Sequence, residues 1–250
     1  MDKALYIAMS GAKQNMLAQQ AHANNLANVD TVGFKQDFVA ARSMPVYGET
    51  YPSRVFAMTE NPGTDMSSGS LIQTGRDLDI AIKGKGWIAV QAPDGSEAYT
   101  RAGNLQVDVN GILRTGSGLP VLGNGGPVAI PPSDKVQIGA DGTVSAIPTG
   151  STPSQLVEVD RIKLVNPDPK TLEKGTDGLM HIKSQNGGNA VAPADANVRV
   201  EPGFLEDSNV NPIEALISTM QLSRQYELQV RVMHAADQDS QSTARLLQNL

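Results

Sequence analysis

The sequence predicts an α+β fold in which an N-terminal and a C-terminal helix pair as a coiled-coil layer, with an inserted all-β domain of short strands and hairpins. Apolar residues recur at helical spacings of three and four near both ends of the chain. Between the ends, Asp-Gly and Asn-Gly pairs alternate with short runs typical of β-strands. We therefore expect a helical domain formed by 1–35 and 212–250, an extended connector at 36–75 and a β-rich domain at 76–211.

The N-terminal helix is predicted over residues 3–28, which contain no proline and are rich in alanine. Gly11 is its weak point, because glycine inside a helix costs up to about 1 kcal/mol relative to alanine. The larger apolar residues and two alanines share one helical stripe: Leu5, Met9, Ala12, Met16, Ala23 and Leu26.

The C-terminal helix is predicted to begin after Asn211, whose side chain can cap free backbone N–H groups, with Pro212 in the first turn. A stripe of residues spaced alternately by four and three then continues to the end of the chain. We call it the heptad stripe, and its members are Ala215, Thr219, Leu222, Tyr226, Gln229, Met233, Ala236, Ser240, Thr243, Leu247 and Leu250. A second apolar strip lies at the start of the helix: Ile213, Leu216, Ile217 and Met220. The polar members suit a helix packed among many similar helices, and an ordinary bundle helix with one wet face fits the pattern equally well.

The middle of the chain is predicted to form hairpins, because turn-forming pairs recur between its apolar runs. The pairs are Asp94-Gly95, Asn110-Gly111, Asn124-Gly125, Asp141-Gly142, Asp177-Gly178 and Asn186-Gly187. Strands are predicted at 87–91, 98–101, 105–109, 112–114, 128–130, 136–138, 143–146 and 157–165. The alternation around Asp77 and Asp79 indicates a strand that exposes its polar face, and a hairpin turn is expected at 83–86.

Composition argues against several classes of function. The net charge of −6 disfavours a nucleic-acid partner, and no apolar run approaches the roughly 18 residues of a membrane span. Cysteine is absent and the three histidines lie in different predicted elements, so no metal, cofactor or catalytic residue is expected. An enzyme is therefore the weaker hypothesis. The N-terminus also lacks the apolar stretch of a cleaved secretion signal.

Two polar patches flank the predicted helices, at 24–35 and 203–211. Asparagine side chains bond free backbone groups, and a glycine permits a left-handed turn, so both patches can be read simply as well-made helix ends. The functional interpretation is that they form joints between neighbouring subunits. The candidate joint residues are Asn25, Asn28, Thr31, Gly33, Phe34, Ser208, Asn209, Val210 and Asn211.

These patches carry a resemblance to the flagellar basal-body rod and hook proteins. The first resembles their Asn-x-x-Asn-x-x-Thr-x-Gly-Phe signature, and the second their Ser-Asn-Val-Asn joint, which follows Gly203-x-Leu205-Glu206. Further motifs of the family match at 78–87, 99–103, 108–113 and 118–123, so the resemblance covers nearly the whole chain. The chain is too short for a hook protein. The Gly86-Trp87 pair and the short connector resemble the proximal-rod members, with the distal-rod members as the main alternative.

The resemblance implies a non-enzymatic structural protein without cofactors, many copies of which assemble into the axial rod that crosses the periplasm. The end helices would form an inner coiled-coil layer around the export channel, with the β domain outside. The implied partners are other rod proteins, further copies of the chain and the flagellar type III export apparatus, without membrane insertion. The residues expected to pack in the helical layer are Leu222, Tyr226, Met233, Ala236 and Leu247. A secreted β-rich enzyme or adhesin with helical ends is the competing class.

Overall fold

The computed structural model describes residues 2–45, 55–60, 63–150, 156–183 and 190–248. The chain divides into two compact units. The helical unit comprises Met1–Val29, Gln36–Gly63 and Val210–Leu250, and the β-rich unit comprises Asp30–Lys35 and Thr64–Asn209. The predicted α+β class is confirmed, with the strand-rich region placed between two terminal helices. The bounds differ from the predicted ones, because 30–35 belongs with the strands and 36–63 with the helices.

Two long helices form most of the helical unit. Helix α1 spans Asp2–Ala27 and α2 spans Pro212–Gln248, close to the predicted ranges, while residues 249 and 250 lie outside the described part of the chain. The two helices pack against each other. A Cβ added at Gly11 would lie 3.0 Å from Gln229 Nε2, so this glycine permits a close approach between the helices.

Of the predicted apolar stripe of α1, Ala12 is buried, but three of its large members do not lie on the packing face. Leu5, Met9 and Met16 are exposed, with Met16 at 63%. The buried positions of α1 carry small or polar residues instead: Ala8, Gly11, Ala12, Ala18 and Asn25. Helical periodicity correctly predicted the helix, but the large apolar side chains lie on the surface of the chain.

A strand pair lies within the range predicted as an extended connector. Strand β1 (Ala40–Pro45) pairs antiparallel with β2 (Val55–Glu60). Strand β2 packs against α1, and the Ser10 hydroxyl donates to the Ala57 carbonyl at 3.2 Å. The prediction missed this pair, because Pro45 and the scattered apolar residues around it do not resemble a strand.

The β-rich unit contains fourteen strands among the residues that the structure describes, together with a 3₁₀ turn at Pro169–Thr171. The strands are β3 (Leu71–Gln73), β4 (Ile80–Lys83), β5 (Trp87–Gln91), β6 (Glu97–Thr100), β7 (Leu105–Val107), β8 (Leu113–Thr115), β9 (Ser133–Ile138), β10 (Thr143–Pro148), β11 (Val157–Arg161), β12 (Leu164–Val165), β13 (Leu172–Lys174), β14 (Met180–Ile182), β15 (Arg199–Pro202) and β16 (Phe204–Glu206). All pairings are antiparallel. The largest sheet has the order β12-β5-β6-β14-β13, a second has the order β11-β10-β9, and β15-β4, β16-β3 and β7-β8 form pairs.

The predicted hairpins are confirmed where a turn-forming pair joins consecutive strands. Gly95, Gly111, Gly142 and Gly178 all have positive φ at such turns, whereas Asn186-Gly187 lies outside the described residues. The range 128–130 forms only an isolated bridge to Ile112, and 157–165 forms two strands instead of one. Five strands found here, β3 and β13 to β16, were not predicted.

Two further expectations for this unit were wrong. The range 83–86 is not a hairpin turn, because β4 pairs with β15 while β5 pairs with β6 and β12. Asp79 is fully buried and not solvent-facing, and its Oδ2 accepts from the Thr74 hydroxyl at 2.7 Å. The polar alternation around Asp79 therefore marks an internal hydrogen bond.

The core of the unit lies on both faces of β5. Ile88 and Val90 belong to the larger apolar cluster, and Trp87 and Ala89 to a smaller one. The smaller cluster includes Tyr99, whose hydroxyl accepts from the Ala192 N–H and donates to Glu97. Burial raises the pKa of Tyr99 above its ordinary value, so the hydroxyl stays neutral. A sheet buried on both faces gives this unit a rigid centre.

Candidate functional site

Asn25 is the most deeply buried of the predicted joint residues, with 3% of its surface exposed. Its Nδ2 donates to the Asp37 carbonyl at 2.9 Å, and its Oδ1 accepts from the Asp37 N–H at 3.0 Å. This reciprocal pair joins α1 to the segment that leads into β1. Asn25 therefore has an internal structural role in the helical unit.

Asn28 and Thr31 follow the end of α1. The Asn28 side chain donates to the Asn24 carbonyl at 2.9 Å, and its N–H donates to the Asn24 and Asn25 carbonyls, so Asn28 caps the last turn. Thr31 is exposed, and its carbonyl accepts from the Phe34 N–H in a tight turn. These contacts are those of a well-made helix end.

Gly33 and Phe34 anchor the following turn inside the β-rich unit. Gly33 has a φ of +69°, and a Cβ there would lie only 2.3 Å from the Arg101 carbonyl carbon, so a glycine is required. Its N–H donates to the Glu206 carbonyl at 2.7 Å. The Lys174 ammonium lies 4.0 Å from the centre of the Phe34 ring. Gly33 and Phe34 thus contact the Arg101 backbone and the Lys174 side chain, respectively, within the β-rich unit.

Ser208 and Asn209 belong to the same unit. Ser208 is 9% exposed, and its N–H bonds the Asp207 side chain. The Asn209 side chain donates to the Asp65 carbonyl at 3.0 Å and the Ser67 carbonyl at 3.2 Å, and the Asn209 N–H donates to the Phe34 carbonyl. Asn209 therefore brings the second polar patch onto the first.

Val210 and Asn211 begin the C-terminal part of the helical unit. Val210 is buried. Asn211 Oδ1 accepts from the N–H groups of Ile213 and Glu214 at 3.1 and 3.3 Å, which is the predicted N-cap of α2. The negative charge of Glu214 in the first turn complements the helix dipole.

A buried charged cluster joins the two patches inside the β-rich unit. Lys35, Arg101 and Glu206 are each at most 4% exposed. The Glu206 carboxylate accepts from Lys35 Nζ at 2.6 Å and from Arg101 Nη1 at 2.7 Å. In the sequence, Lys35 ends the first polar patch, Arg101 lies in the 99–103 motif and Glu206 lies in the second patch, but the sequence patterns assign them no role. Their charge within these matched segments was the available signal.

The heptad stripe is the less exposed side of α2. Ala215 is buried, and Leu222, Met233 and Ala236 are half-buried, whereas Tyr226 remains 39% exposed. The side chain of Leu247 lies outside the described ones. Burial on the single chain is thus partial along most of the stripe.

A large apolar surface of the helical unit remains uncovered. The second apolar strip of α2 is about half exposed or more at every position, up to 69% at Ile213. Exposed apolar residues on α1 add to it: Leu5, Tyr6, Met9, Met16 and Leu17. Concentrations of exposed apolar side chains on a soluble chain mark surfaces that bind other proteins.

Within the described residues, no group of three or more histidine, cysteine, aspartate or glutamate side chains could hold a metal ion. A groove of about 540 Å³ in the helical unit is lined mainly by apolar residues of α1, α2 and β2, and Arg42 is the one ionisable residue among those of its lining that the structure describes. Among the described helices, none is both long and apolar enough to span a membrane.

Comparison with known proteins identifies the class. Residues 5–35 match the model of the flagella basal body rod protein family, and 81–146 match the flagellar hook protein FlgE/F/G D1 domain. Residues 201–246 match the C-terminal domain of the flagellar basal body rod FlgEFG proteins. The chain belongs to the family of flagellar basal-body rod proteins.

Within this family the chain is most like FlgF. It is 40% identical to the flagellar basal-body rod protein FlgF of Salmonella typhimurium over 249 residues, which cover 99% of each chain. It is 39% identical to the FlgF of Escherichia coli K12, with the same coverage. The FlgG of Bacillus subtilis is 32% identical over 264 residues and 98% of each chain.

Proposed function

We propose that this protein is a structural subunit of the flagellar basal-body rod and that it occupies the proximal part, as an FlgF-like protein. The observation that carries the proposal is the whole-length similarity to FlgF proteins, at 40% identity over 99% of the chain. The relatives are structural rod proteins, so family identity supports a non-enzymatic role.

The helical unit supplies the assembly surface in this proposal. Its apolar strip on α2 and the large apolar residues of α1 lie on the surface of the single chain. Burying apolar surface contributes roughly 25 cal/mol per Å², so covering these residues with helices of neighbouring subunits would strongly favour association. The end helices then pack as a coiled-coil layer, with Leu222, Tyr226, Met233, Ala236 and Leu247 inside it.

Joints between subunits are the second element of the proposal. Asn28, Thr31 and Ser208 lie at or beside the points where the chain passes between its two units. The other six joint residues stabilise these segments through contacts inside the chain: Asn25, Gly33, Phe34, Asn209, Val210 and Asn211. The joints thus act by presenting a fixed backbone, and they carry no chemistry.

The partners and the location follow from the same proposal. Copies of this chain would adjoin other rod proteins, including FlgG-like distal-rod subunits, in the rod that crosses the periplasm. The subunit would reach that place through the flagellar export apparatus, without inserting into the membrane. The 32% identity to the FlgG of Bacillus subtilis makes a distal-rod position the second candidate.

A matched pair of variants tests the assembly surface. Leu216→Gln with Ile217→Gln removes two side chains that are 51% and 50% exposed on α2, so the single chain should fold as before. Val109→Gln is the control, because Val109 is fully exposed on the β-rich unit. In a strain lacking the gene, the control should restore rods and motility and the α2 variant should restore neither. Parental motility from the α2 variant would show that this strip makes no assembly contact.

A further inference from the structure

The buried charged cluster of the β-rich unit is unexplained by assembly or by helix capping. Glu206 Oε1 accepts from Lys35 Nζ at 2.6 Å and from the Gly69 N–H at 3.1 Å, and Oε2 accepts from Arg101 Nη1 at 2.7 Å. The Glu206 side chain is fully buried. One carboxylate therefore takes hydrogen bonds from three distant parts of the chain.

The two cations are held by further acceptors that fix their positions. Lys35 Nζ also donates to the Ser67 carbonyl at 2.6 Å, and Arg101 Nη2 donates to the Gly84 carbonyl at 2.8 Å. Burial lowers the pKa of Lys35, while the hydrogen bond and charge of Glu206 oppose that change. Among the described residues Arg101 Nε is buried without a hydrogen-bond partner, but the contacts of Lys35 Nζ, of the two Arg101 Nη atoms and of Glu206 all have defined distances, so the cluster favours one arrangement of its segments.

The segment that follows α1 and the segment that leads into α2 meet at this cluster within the β-rich unit. Residues 30–35 follow α1, and Glu206 ends the strand that precedes α2. The Gly33 N–H donates to the Glu206 carbonyl at 2.7 Å, and the Asn209 N–H donates to the Phe34 carbonyl at 3.4 Å. Gly69 permits a close approach to the segment before α2, because a Cβ there would lie 2.0 Å from the Asp207 carbonyl oxygen.

We propose that Glu206 is a positioning residue that holds these two connecting segments together at one place in the β-rich unit. The role of Glu206 is to select one arrangement of the two segments, because a gain in stability does not by itself explain why one anion and two cations are buried together. Replacing such a set by apolar residues of similar volume is often neutral or stabilising, whereas removing one partner is strongly destabilising.

The test separates positioning from stability in the purified full-length chain. The triple variant Lys35→Met, Arg101→Met and Glu206→Met removes every charge of the cluster at similar volume. Its Trp87 fluorescence should give a melting temperature at or above that of the parent. Amide hydrogen exchange in 33–35 and 206–209 should accelerate by about tenfold or more, because exchange reports the free energy of local opening. The amides of β5 and β6 should keep their protection.

Glu206→Gln and Glu97→Gln complete the design. Glu206→Gln leaves two buried cations without a counter-charge, so it should lower both the melting temperature and the protection of the two segments. Glu97 pairs with Lys163 at 2.8 Å in the same unit, and Glu97→Gln should leave both segments protected. Parental protection of both segments in the triple variant, or equal loss of protection in β5 and β6, would overturn the proposal. These readouts use the isolated chain, so they are independent of rod assembly.

Discussion

Gly33→Ala tests the contact that explains the Gly-Phe part of the family signature. Gly33 has a φ of +69°, and an added Cβ would lie 2.3 Å from the Arg101 carbonyl carbon and 2.5 Å from the Ala102 nitrogen. Both neighbours are backbone atoms, so neither can rotate away. The turn at 31–34 must therefore shift off the Arg101 segment and weaken the Gly33 hydrogen bond to Glu206.

Two costs add up in this variant. The left-handed conformation costs an alanine about 1–2 kcal/mol, and the displaced hydrogen bond costs about 0.5–1.5 kcal/mol more. The free energy of unfolding should thus fall by about 1.5–3.5 kcal/mol. Gly75 provides a matched control, because it has the same φ of +69° with no heavy atom within 4 Å of an added Cβ. Gly75→Ala should incur only the conformational cost of about 1–2 kcal/mol.

The assay is urea denaturation followed by the fluorescence of Trp87, the single tryptophan, which is buried in the β-rich unit. The unfolding midpoint of Gly33→Ala should fall further than that of Gly75→Ala, with similar slopes. Equal destabilisation by the two substitutions would refute the close approach between Gly33 and the Arg101 backbone.

Three other predictions concern the two helices and the stability of the chain at acid pH. Met233→Asp should leave the helical circular dichroism of the isolated chain nearly unchanged, because the new carboxylate at this half-buried position can reach water. The same variant should abolish rod assembly, because an unpaired charge buried between subunits costs several kcal/mol. A collapse of the helix signal would instead place the heptad stripe in an internal core. Asn25→Ala should destabilise the helical unit in thermal melts by about 1–3 kcal/mol through loss of both bonds to Asp37. Asn25→Asp should destabilise it at least as much, because a buried carboxylate oxygen would face the Asp37 carbonyl oxygen, and a smaller loss would contradict this bonding pattern. The hydrogen bond from Arg114 lowers the pKa of Asp108. The Asp108 carboxylate therefore contributes its full stabilisation above the ordinary carboxyl pKa and loses it as pH falls through the lowered pKa. Asp108→Asn should flatten the acid side of the pH–stability curve, and an unchanged curve would contradict this assignment.

The helices and hairpin turns could be predicted because their signals are local. Asn211 and Pro212 define the start of α2, and the Asp94-Gly95 pair defines the turn before β6. The packing face of α1 could not be predicted from apolar size, because the close approach to α2 uses Gly11, and large residues such as Met16 lie on the surface. In a subunit whose partners are other chains, the large apolar residues need not lie inside the monomer.

The charged cluster and the short strands β13 to β16 depend on contacts between distant residues. Glu206 meets Lys35 across 171 positions and Arg101 across 105. No spacing rule relates residues so far apart in the chain. A single sequence also does not distinguish a charged residue that will be buried from one that will lie on the surface. The N-cap formed by Asn211 could be predicted because helix-end chemistry is local, whereas the connection of the two patches through Glu206 could not. The role of the candidate joint residues as joints between subunits stays a prediction.

Electron cryo-microscopy of intact basal bodies tests the central claim most directly, because it locates the chain in its assembly. A proximal-rod subunit should appear as several copies in the part of the rod nearest the export apparatus, with α1 and α2 forming the layer around the channel. Strains lacking the gene should show no rod density at those positions. Complete rods in such a strain, or density for this chain only in the distal rod, would contradict the account.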